Sequence, residues 1–246
     1  MARQNATAAG PITLPAFAAG GAAHFFGTKH VAGFAGRGVR PRTVVSVKQV
    51  HGTDTLIVDR PVETGAHFEG GWDALVTDQP GVLLTIRTAD CVPVLLHDPI
   101  RGVVAAIHAG WRGAVAGIVP RTIAAMRRRF GAELGSLRVG IGPSAGACCY
   151  EVDEPVLGRL REGFHGWPSV VRRHRPGRGM LDLRELVRRQ ATDLGLRPER
   201  VAAVNLCTIC HDGLFYSYRR EGTARGTMVS GIMLTDRPRT KRKAEA

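Results

Sequence analysis

Three segments of the sequence place a metal-ligand side chain beside glycine or a turn. They are Gln49-Val50-His51-Gly52, Ala89-Asp90-Cys91-Val92 and residues 107–113, Ile-His-Ala-Gly-Trp-Arg-Gly. Two imidazoles and one thiolate suit borderline-soft Zn²⁺ better than copper, and three protein ligands leave a fourth position for water or substrate. The sequence therefore offers His51, Cys91 and His108 as candidate zinc ligands.

The spacing of these three residues leaves a second interpretation open. Separations of 40 residues between His51 and Cys91, and of 17 between Cys91 and His108, match no local zinc pattern. In the alternative, Cys91 is a small buried hydrophobic residue and the histidines are hydrogen-bonded polar residues near strand ends. Spacing alone does not decide between the two.

The other four cysteines form two local patterns. Cys207-Thr208-Ile209-Cys210-His211 has the C-x-x-C-H spacing of c-type haem attachment, and C-x-x-C also occurs in zinc and redox sites. No secretory signal, second C-x-x-C or thioredoxin-like βαβ pattern accompanies it, so we interpret it as chance or local structural use. Cys148 and Cys149 would point to opposite faces of a strand, so at most one could face a site as a nucleophile.

Charged residues accompany the candidate ligands along the sequence. Arg112 and the Arg219-Arg220 pair carry guanidinium forks suited to phosphate or carboxylate, and Lys48 would add a point charge. In the alternative interpretation the arginines are solvated surface residues. Asp90 is either an acid or base beside Cys91 or the cap of a turn.

The elements that would position these residues are mostly short strands. Runs of β-branched and aliphatic residues predict strands at 43–47, 55–58, 74–77, 82–86, 92–96, 103–107, 201–204, 214–218 and 228–234. Three of these, at 82–86, 92–96 and 103–107, are apolar on both sides, as in strands covered on both faces. His51 follows the predicted strand at 43–47 and His108 follows the one at 103–107, so each histidine lies at the end of an apolar run.

Two segments show helical periodicity. Apolar residues recur at helical spacing over 114–130, although Pro120 should kink or restart that helix. Asp182 and Glu185 form a capping box for a second helix, whose apolar face runs to Leu194 before Gly195 ends it. Strands and helices mix without regular βαβ alternation, so we predict an α+β fold.

Composition favours one globular domain in a reducing compartment. Hydrophobic residues make up 44% of the 246 residues and aromatic residues 6%, which predicts an aliphatic core. Five cysteines, an odd number, do not describe a disulfide framework. No signal peptide or apolar run of about 18 residues is evident, so we expect a cytoplasmic protein without a membrane span. We predict one domain over 1–246, with flexible tails at 1–10 and 237–246.

The chain carries a large excess of positive charge. Lys and Arg number 34 against 21 Asp and Glu, and the net +13 concentrates in residues 127–129, 172–178 and 237–243. Basic runs are typical of nucleic-acid-binding modules, but here no aromatic residues are interleaved and no such motif accompanies them. We interpret them as solvated faces and a tail, and do not expect specific nucleic-acid binding. The same field would favour anionic substrates such as phosphate.

Six segments resemble the laccase-domain family, also called YfiH-like or multicopper polyphenol oxidase-type proteins, which is associated with purine nucleoside phosphorylase activity. They are KQVHGTD at 48–54, WDALVTDQPGVLLTIRTADCVPVLLHDP at 72–99, AAIHAGWRGAVAGIV at 105–119, GIGPSAGACCYEVDEPV at 140–156, LDLRELVRRQ at 181–190 and NLCTICHDGLFYSYRREG at 205–222. The resemblance spans nearly the whole chain. It departs at Arg225-Gly226-Thr227, where the family commonly has Thr-Gly-Arg.

The resemblance implies a fold, a metal and an activity. The fold would be two mixed β-sheets packed together with helices outside, an α/β/β/α sandwich, with one zinc on His51, Cys91 and His108. The activity would be phosphorolysis of adenosine, inosine and methylthioadenosine, with adenosine deamination as a side activity. Nine histidines are too few for the four coppers of a multicopper oxidase. We expect catalytic roles for Arg112, Asp90, Lys48 and Cys149, and substrate contacts from Gln49, Arg219, Ser217 and Arg225.

Two other functions remain as alternatives. One is a hydrolase that edits cell-wall peptide precursors, using Cys91 or Cys149 with a histidine. The other is a basic nucleic-acid-binding module, which steep salt-dependent binding to duplex without catalysis would favour. The preferred nucleoside, the physiological metal and the oligomeric state are not set by the sequence.

Overall fold

The computed structural model of the chain describes residues 10–15, 20–34, 38–63, 65–223 and 225–235. The tails predicted at 1–10 and 237–246 lie outside these residues, apart from Gly10. The strands are β1 (Ala22–Phe26), β2 (Thr43–Val45), β3 (Thr55–Val58), β4 (Ala74–Thr77), β5 (Val82–Thr88), β6 (Val92–Asp98), β7 (Val103–Ala109), β8 (Arg138–Ile141), β9 (Glu151–Asp153), β10 (Val171–Arg175), β11 (Arg178–Leu181), β12 (Val201–Ala203) and β13 (Met228–Leu234). The α-helices are α1 (Trp111–Val115), α2 (Ile118–Phe130), α3 (Glu154–Gly163), α4 (Leu183–Asp193) and α5 (Tyr218–Glu221).

The strands form two mixed sheets and one small antiparallel sheet. The larger sheet has the order β12-β8-β6-β7-β4-β3, antiparallel in its centre and parallel in its two edge pairs. The second has the order β1-β13-β5-β2, in which only the β2 and β5 pair is parallel. Strands β10, β11 and β9 form the third sheet. This confirms the predicted α+β class with mixed sheets.

The two mixed sheets pack face to face through alternate side chains. Along β7, Val104 and Ala106 point into a cluster shared with Leu84 and Ile232 of the four-stranded sheet. The intervening residues, such as Ile107, belong to a separate cluster beneath the helices. This period-two division is expected of a strand with both faces covered, and explains the continuously apolar runs. Each such buried aliphatic side chain contributes about 1.5–3 kcal/mol to folding.

Helices α1, α2 and α4 all lie on the six-stranded sheet. They contact β7, β8 and neighbouring strands, with α3 packed beside the small sheet. On the outer face of the four-stranded sheet, Phe25, Leu83 and Met233 instead pack with Phe34, Val39 and Val229. Helices therefore cover one side of the sandwich within the described part of the chain.

Helix boundaries follow local chemistry. Asp182 caps α4 by accepting a hydrogen bond from the Glu185 backbone N–H at 3.0 Å, as the capping pattern predicts. The predicted 114–130 helix is divided at Gly117, whose φ is 83°, so that α1 ends and α2 begins there. Pro120 lies in the first turn of α2, where its missing N–H has no intrahelical partner to lose.

Two details of the predicted elements are wrong. Residues 214–218 form no strand: the segment turns, and Ser217 caps the short helix α5. Its aromatic residues resemble a strand locally, but the Ser217 hydroxyl accepts the Arg220 N–H and begins a helical turn instead. Leu194 is 38% exposed, because the helix ends before the apolar face reaches it.

No helix among the described residues is both long enough and apolar enough to cross a membrane.

Candidate functional site

The structure brings the three predicted ligands together. Cys91 Sγ lies 3.9 Å from His51 Nε2, and the His51 and His108 rings are 4.7 Å apart between centroids, at 81° to each other. One ligand atom from each residue lies within 4.8 Å of the other two. Two imidazole nitrogens and a thiolate at these separations fit a zinc-type ion.

The elements explain this convergence. Cys91 occupies the turn between β5 and β6, where the chain passes from one mixed sheet to the other. His108 lies near the end of β7, which neighbours β6, and pairs directly with Pro93. His51 belongs to the loop after β2. The site therefore lies where strand ends from both sheets meet, which holds the ligands on rigid elements.

A buried carboxylate orients the two histidines. Asp73 Oδ1 accepts a hydrogen bond from His108 Nδ1 at 2.7 Å and another from the His51 backbone N–H at 3.0 Å. Asp73 Oδ2 accepts from the backbone N–H groups of Gly52 at 2.6 Å and Val50 at 3.2 Å. With Nδ1 donating to Asp73, His108 keeps Nε2 as the nitrogen available to a metal.

Close packing around the ligands depends on the left-handed backbone of His51 and on the absence of a side chain at Gly110. His51 has a φ of 61°, a left-handed conformation that costs about 1–3 kcal/mol in a non-glycine residue and is held by the hydrogen bond that its backbone N–H donates to Asp73. A Cβ atom at Gly110 would lie 2.8 Å from His51 Cδ2 and 3.2 Å from Cys91 Sγ. Glycine at position 110 therefore leaves the space in which the ligands meet.

The electrostatics of the metal-free site favour a charged pair. Burial raises the pKa of the Cys91 thiol, but hydrogen bonds with His108 and His51 outweigh burial and bring it down to about 7. Burial lowers the pKa of His108, while hydrogen bonds with Asp73 and Cys91 raise it to about 9. A thiolate is therefore accessible near neutral pH, as a metal ligand must be.

A cavity of about 650 Å³ opens beside the candidate ligands. Its wall includes three arginines, three aromatic residues and the three ligands. The lining residues are Val47, Gln49, His51, Arg87, Thr88, Ala89, Asp90, Cys91, His108, Trp111, Arg112, Tyr150, Tyr218, Arg219 and Thr227. This size and mixture of flat apolar and cationic groups suit a small aromatic ligand with an anionic co-substrate.

Aromatic rings hold two of the arginines in place. The Arg112 guanidinium lies 4.5 Å from the Trp111 ring centroid, and that of Arg219 lies 4.9 Å from the Tyr150 ring. Arg219 Nη1 also donates to the Glu151 carbonyl at 2.6 Å. Burial raises the pKa of Tyr150 to about 12, so its phenol keeps its proton at neutral pH.

Asp90 lies on the cavity wall, but its carboxylate is occupied by hydrogen bonds. Oδ1 accepts from Thr208 Oγ1 at 2.6 Å, and Oδ2 accepts from Ser217 Oγ at 3.0 Å and the Arg219 backbone N–H at 2.7 Å. Its φ is 87°. This geometry supports the turn-cap interpretation, in which Asp90 fixes the Cys91 turn against the start of α5.

Four predicted site residues are not on the cavity wall. Lys48 is exposed beside it, and the buried Ser217 hydroxyl is engaged with Asp90 and the Arg220 backbone. Arg225 is exposed, and Thr227, two positions later, lines the cavity in its place. Cys149 Sγ lies 3.2 Å from Cys210 Sγ, in a separate group of thiols.

Gln49 lines the cavity with its amide already paired. Its Nε2 donates to the Arg87 carbonyl at 2.8 Å, and its Oε1 accepts from the Arg87 backbone N–H at 2.8 Å. The Gln49 side chain thus pairs with the Arg87 backbone as a neighbouring strand would, and it fixes the Arg87 backbone at the edge of the cavity. Arg112 and Arg219 are the predicted cations that reach the wall.

The sequence predictions missed five residues of the site, which are Asp73, Arg87, Trp111, Tyr150 and Tyr218. Asp73 follows Trp72 at the start of a strand and resembles an ordinary turn residue, and Arg87 ends an apolar run without any motif of its own. All five lie inside the segments that carry the family resemblance, and the place of Trp111, Tyr150 and Tyr218 directly beside Arg112, Cys149 and Arg219 was the available signal.

Comparison with known proteins places the chain in a family. The profile of the family described as multi-copper polyphenol oxidoreductase laccase matches residues 30–235. The chain belongs to this family. A purine nucleoside phosphorylase from Bacteroides thetaiotaomicron is 36% identical to this laccase-family protein over 200 residues, which cover 79% of this chain and 74% of the relative. The purine nucleoside phosphorylase YlmD from Geobacillus stearothermophilus is 36% identical over 194 residues, covering 76% and 71%.

Solved structures of relatives agree with the fold. The crystal structure of YlmD from Geobacillus stearothermophilus matches with a TM-score of 0.76 and 30% identity, covering 91% of this chain and 94% of YlmD. The Bacillus licheniformis protein YfiH matches with a TM-score of 0.72 and 31% identity, covering 78% and 74%. The family predicted from the sequence motifs is therefore confirmed.

Proposed function

We propose that this protein is a zinc-dependent purine nucleoside phosphorylase, which converts adenosine or inosine and phosphate to the free base and ribose 1-phosphate, and methylthioadenosine to adenine and methylthioribose 1-phosphate. The proposal rests on one observation: a single cavity combines the His51, Cys91 and His108 group with arginines and aromatic rings. The names of the curated relatives support the substrate class. The cytoplasmic location stays a prediction.

The arginines of the cavity are suited to holding phosphate. Arg87, Arg112 and Arg219 line one space, so a phosphate dianion there would meet guanidinium groups from three separate elements. Charge-assisted, bidentate hydrogen bonds fix both the position and the orientation of such an anion. Holding phosphate against the sugar turns an encounter of two molecules into a step within one complex.

Phosphorolysis places charge where the cavity has complementary groups. A phosphate oxygen bonds to C1′ of the ribose as the C1′–N9 bond breaks, and the electron pair of that bond leaves with the purine. The sugar becomes positive in the transition state and is stabilised by the phosphate itself. Tyr150 keeps its proton at neutral pH and can donate a hydrogen bond to the departing base.

The aromatic residues offer flat surfaces for the base. Trp111 and Tyr218 line the cavity, and Tyr218 is 58% exposed, so its ring is free to stack on a purine. The donor set of two imidazoles and one thiolate favours zinc over copper. When bound, zinc supplies a Lewis acid, which is the chemistry that adenosine deamination as a side activity requires.

A nucleoside panel with and without phosphate tests the function. The zinc-loaded protein should release adenine from adenosine only when phosphate is present, with ribose 1-phosphate as the second product, separated by chromatography. Inosine formed from adenosine reports deamination. Zinc-loaded protein that releases no base from any nucleoside in the presence of phosphate contradicts the proposal.

Paired arginine variants test whether the cavity carries the activity. Arg112→Ala should lower kcat/KM for phosphate by about 10–100-fold, the loss expected for one charge-assisted hydrogen-bonding partner. Arg128 is exposed on α2 and does not line the cavity, so Arg128→Ala should retain wild-type kinetics. Equal effects of the two substitutions would place phosphate elsewhere.

One observation favours a second function at the same residues. The Cys91 thiol has a pKa of about 7 and lies 3.9 Å from His51 Nε2, an arrangement that also suits a nucleophilic cysteine. Cleavage of a serine-containing muramyl peptide precursor that survives metal removal would support this hydrolase. For Cys149, burial and a hydrogen bond with Cys148 raise the thiol pKa, which disfavours it as the nucleophile.

A further inference from the structure

Four cysteines gather at a second place in the structure, away from the ligands described above. Cys148 Sγ and Cys149 Sγ lie 3.5 Å and 3.2 Å from Cys210 Sγ, and Cys207 completes a group whose sulfur atoms all lie within 4.8 Å of one another. We call these residues the four-cysteine cluster. Four thiolates around one zinc, at about 2.3 Å each, would be roughly 3.8 Å apart.

Local backbone structure turns both adjacent cysteines toward Cys210. Residues 147–149 form a turn, closed by hydrogen bonds from the Cys149 and Tyr150 N–H groups to the Gly146 carbonyl at 2.9 Å each. The expectation that the two thiols point to opposite faces of a strand is therefore wrong, because the pair does not lie in a strand. A turn lets neighbouring side chains share one centre.

The second half of the cluster has the local geometry of a metal-binding C-x-x-C turn. The backbone N–H groups of Ile209 and Cys210 donate to Cys207 Sγ, and the Gly146 N–H approaches the same sulfur at 3.3 Å. Three N–H donors directed at one sulfur stabilise it as a thiolate ligand, as groups around a metal's ligands commonly do. His211 has its Nδ1 on the Cys207 carbonyl at 2.9 Å, so it serves this turn structurally.

A positive charge lies against the cluster. A Cβ atom at Gly146 would lie 3.0 Å from Arg184 Nη2, 3.2 Å from Cys148 Sγ and 3.2 Å from Cys207 Cβ, so all three surround this glycine. Arg184 Nη1 donates to the Val204 and Leu206 carbonyls, which fixes the guanidinium there. Four thiolates and one divalent ion carry a net charge of −2, which a neighbouring guanidinium would partly balance.

We propose that the four-cysteine cluster binds one zinc-class divalent ion as a closed tetrathiolate site, separate from the His51, Cys91 and His108 centre. Each Cys releases its proton to solvent on binding, so that four S–H bonds are replaced by four sulfur–metal bonds and no electrons are transferred. Four protein ligands leave no open position, so the site is structural. All five cysteines of the chain are free thiols in this structure, and the two sulfur separations to Cys210 exceed the roughly 2.05 Å of a disulfide bond.

The position of this site links it to the cavity wall. The segments that carry the cluster are otherwise joined by a short parallel bridge between Ser144 and Cys207. Tyr150 follows Cys149 and lines the cavity, and Thr208 follows Cys207 and donates to Asp90. An ion in the cluster therefore clamps the two loops that supply this part of the wall.

Metal counting on the full-length protein tests the proposal. Wild-type protein is stripped of metal under reducing conditions, reloaded with Zn²⁺ or Co²⁺, freed of excess ion and analysed by mass spectrometry for metal per chain. We expect two equivalents for wild type and one for Cys210→Ser. Cys91→Ser should also retain one, and its cobalt form should show the absorption of a tetrathiolate centre. Cys210→Ser should lose that absorption and melt at a lower temperature.

The choice of residues keeps the test decisive. Cys148 and Cys210 are exposed, so replacing either with serine leaves the core intact, whereas Cys207 is buried and is not substituted. If Cys210→Ser or Cys91→Ser fails to fold, two measurements on the wild-type protein still test the proposal. They are its cobalt spectrum and the zinc-dependent protection of four thiols from an alkylating reagent. One equivalent of metal in wild type, unchanged in Cys210→Ser, overturns the proposal. Disulfides within the cluster, or iron as its preferred ion, overturn it equally.

Discussion

The buried carboxylate of Asp73 positions two of the three candidate metal ligands through the hydrogen bonds that it accepts. Asp73 is fully buried and accepts hydrogen bonds from the His108 ring and from three consecutive backbone N–H groups around His51. The same group sets the orientation of one ligand and the left-handed backbone of another. Its partners lie 21 to 35 residues away along the chain, so no local pattern in the sequence could reveal this role.

Asp73→Asn should weaken metal binding without removing a ligand. The amide presents an NH₂ group where Asp73 now has an oxygen, so either His108 Nδ1 and the His51 N–H lose their acceptor, or the Val50 and Gly52 N–H groups lose theirs. We expect the zinc affinity to fall about 10–100-fold, as for other residues that orient metal ligands. Competition with a chromophoric chelator measures this. Asp59→Asn, which changes a carboxylate paired with Arg129, is the control and should bind zinc normally.

Arg219 and Arg225 are close in the sequence but differ in their position relative to the cavity. Arg219 lines the cavity against Tyr150, whereas Arg225 is exposed and off the wall. Arg219→Ala should raise KM for phosphate about tenfold or more, and Arg225→Ala should change it by less than about twofold. Steady-state kinetics at saturating nucleoside measure both. A larger effect at Arg225 would show that the usual Thr-Gly-Arg contact is kept despite the shifted sequence.

At the scale of elements, the strands were predictable because their signal is local. Six aliphatic runs in the first half of the chain became β2 to β7, since covering both faces of a strand requires continuous apolar sequence. Their assembly into two sheets was not readable from these runs and came from the family resemblance. Likewise, residues 214–218 have the composition of a strand, but Ser217 accepts the Arg220 N–H as a helix cap and donates to the distant Asp90, and the second contact could not be read from the sequence.

The junction between β7 and α1 allows a test of close packing at the metal centre. Gly110 has φ −69° and ψ 163°, a conformation open to alanine, yet an added Cβ would press on His51 and Cys91. Gly110→Ala should therefore lower the zinc affinity by at least about tenfold, while the metal-free protein changes in stability by no more than about 1–3 kcal/mol.

Calorimetric zinc titration and urea unfolding of the metal-free Gly110→Ala protein give the two measurements. Gly135→Ala is the matched control, because nothing lies within 4 Å of the added Cβ there. It should behave as wild type in both. If Gly110→Ala binds zinc as tightly as wild type, the space between Gly110 and the His51 and Cys91 side chains is not required for metal binding, and the prediction is wrong.

At the scale of the whole molecule, the net charge of +13 includes arginines in two different settings. Several surface arginines are paired with carboxylates, including Arg129 with Asp59 and Arg175 with Glu151. The cavity arginines Arg112 and Arg219 instead lie against aromatic rings, and among the described residues the one carboxylate on the cavity wall, that of Asp90, is occupied by hydrogen bonds. The cavity is therefore a positive region within a positive molecule, which attracts a small anion.

This charge predicts a salt-dependent reaction with phosphate. The Debye length falls from about 30 Å at 0.01 M salt to about 3 Å at 1 M, so added KCl should screen attraction from the surface before it weakens contacts inside the cavity. We expect kcat/KM for phosphate to fall severalfold over this range. At saturating phosphate, kcat/KM for neutral inosine should change much less, because a neutral substrate is not steered. Parallel loss with both substrates would instead mean that salt disturbs the protein, and a constant value for phosphate would mean that the excess charge does not guide the anion to the cavity.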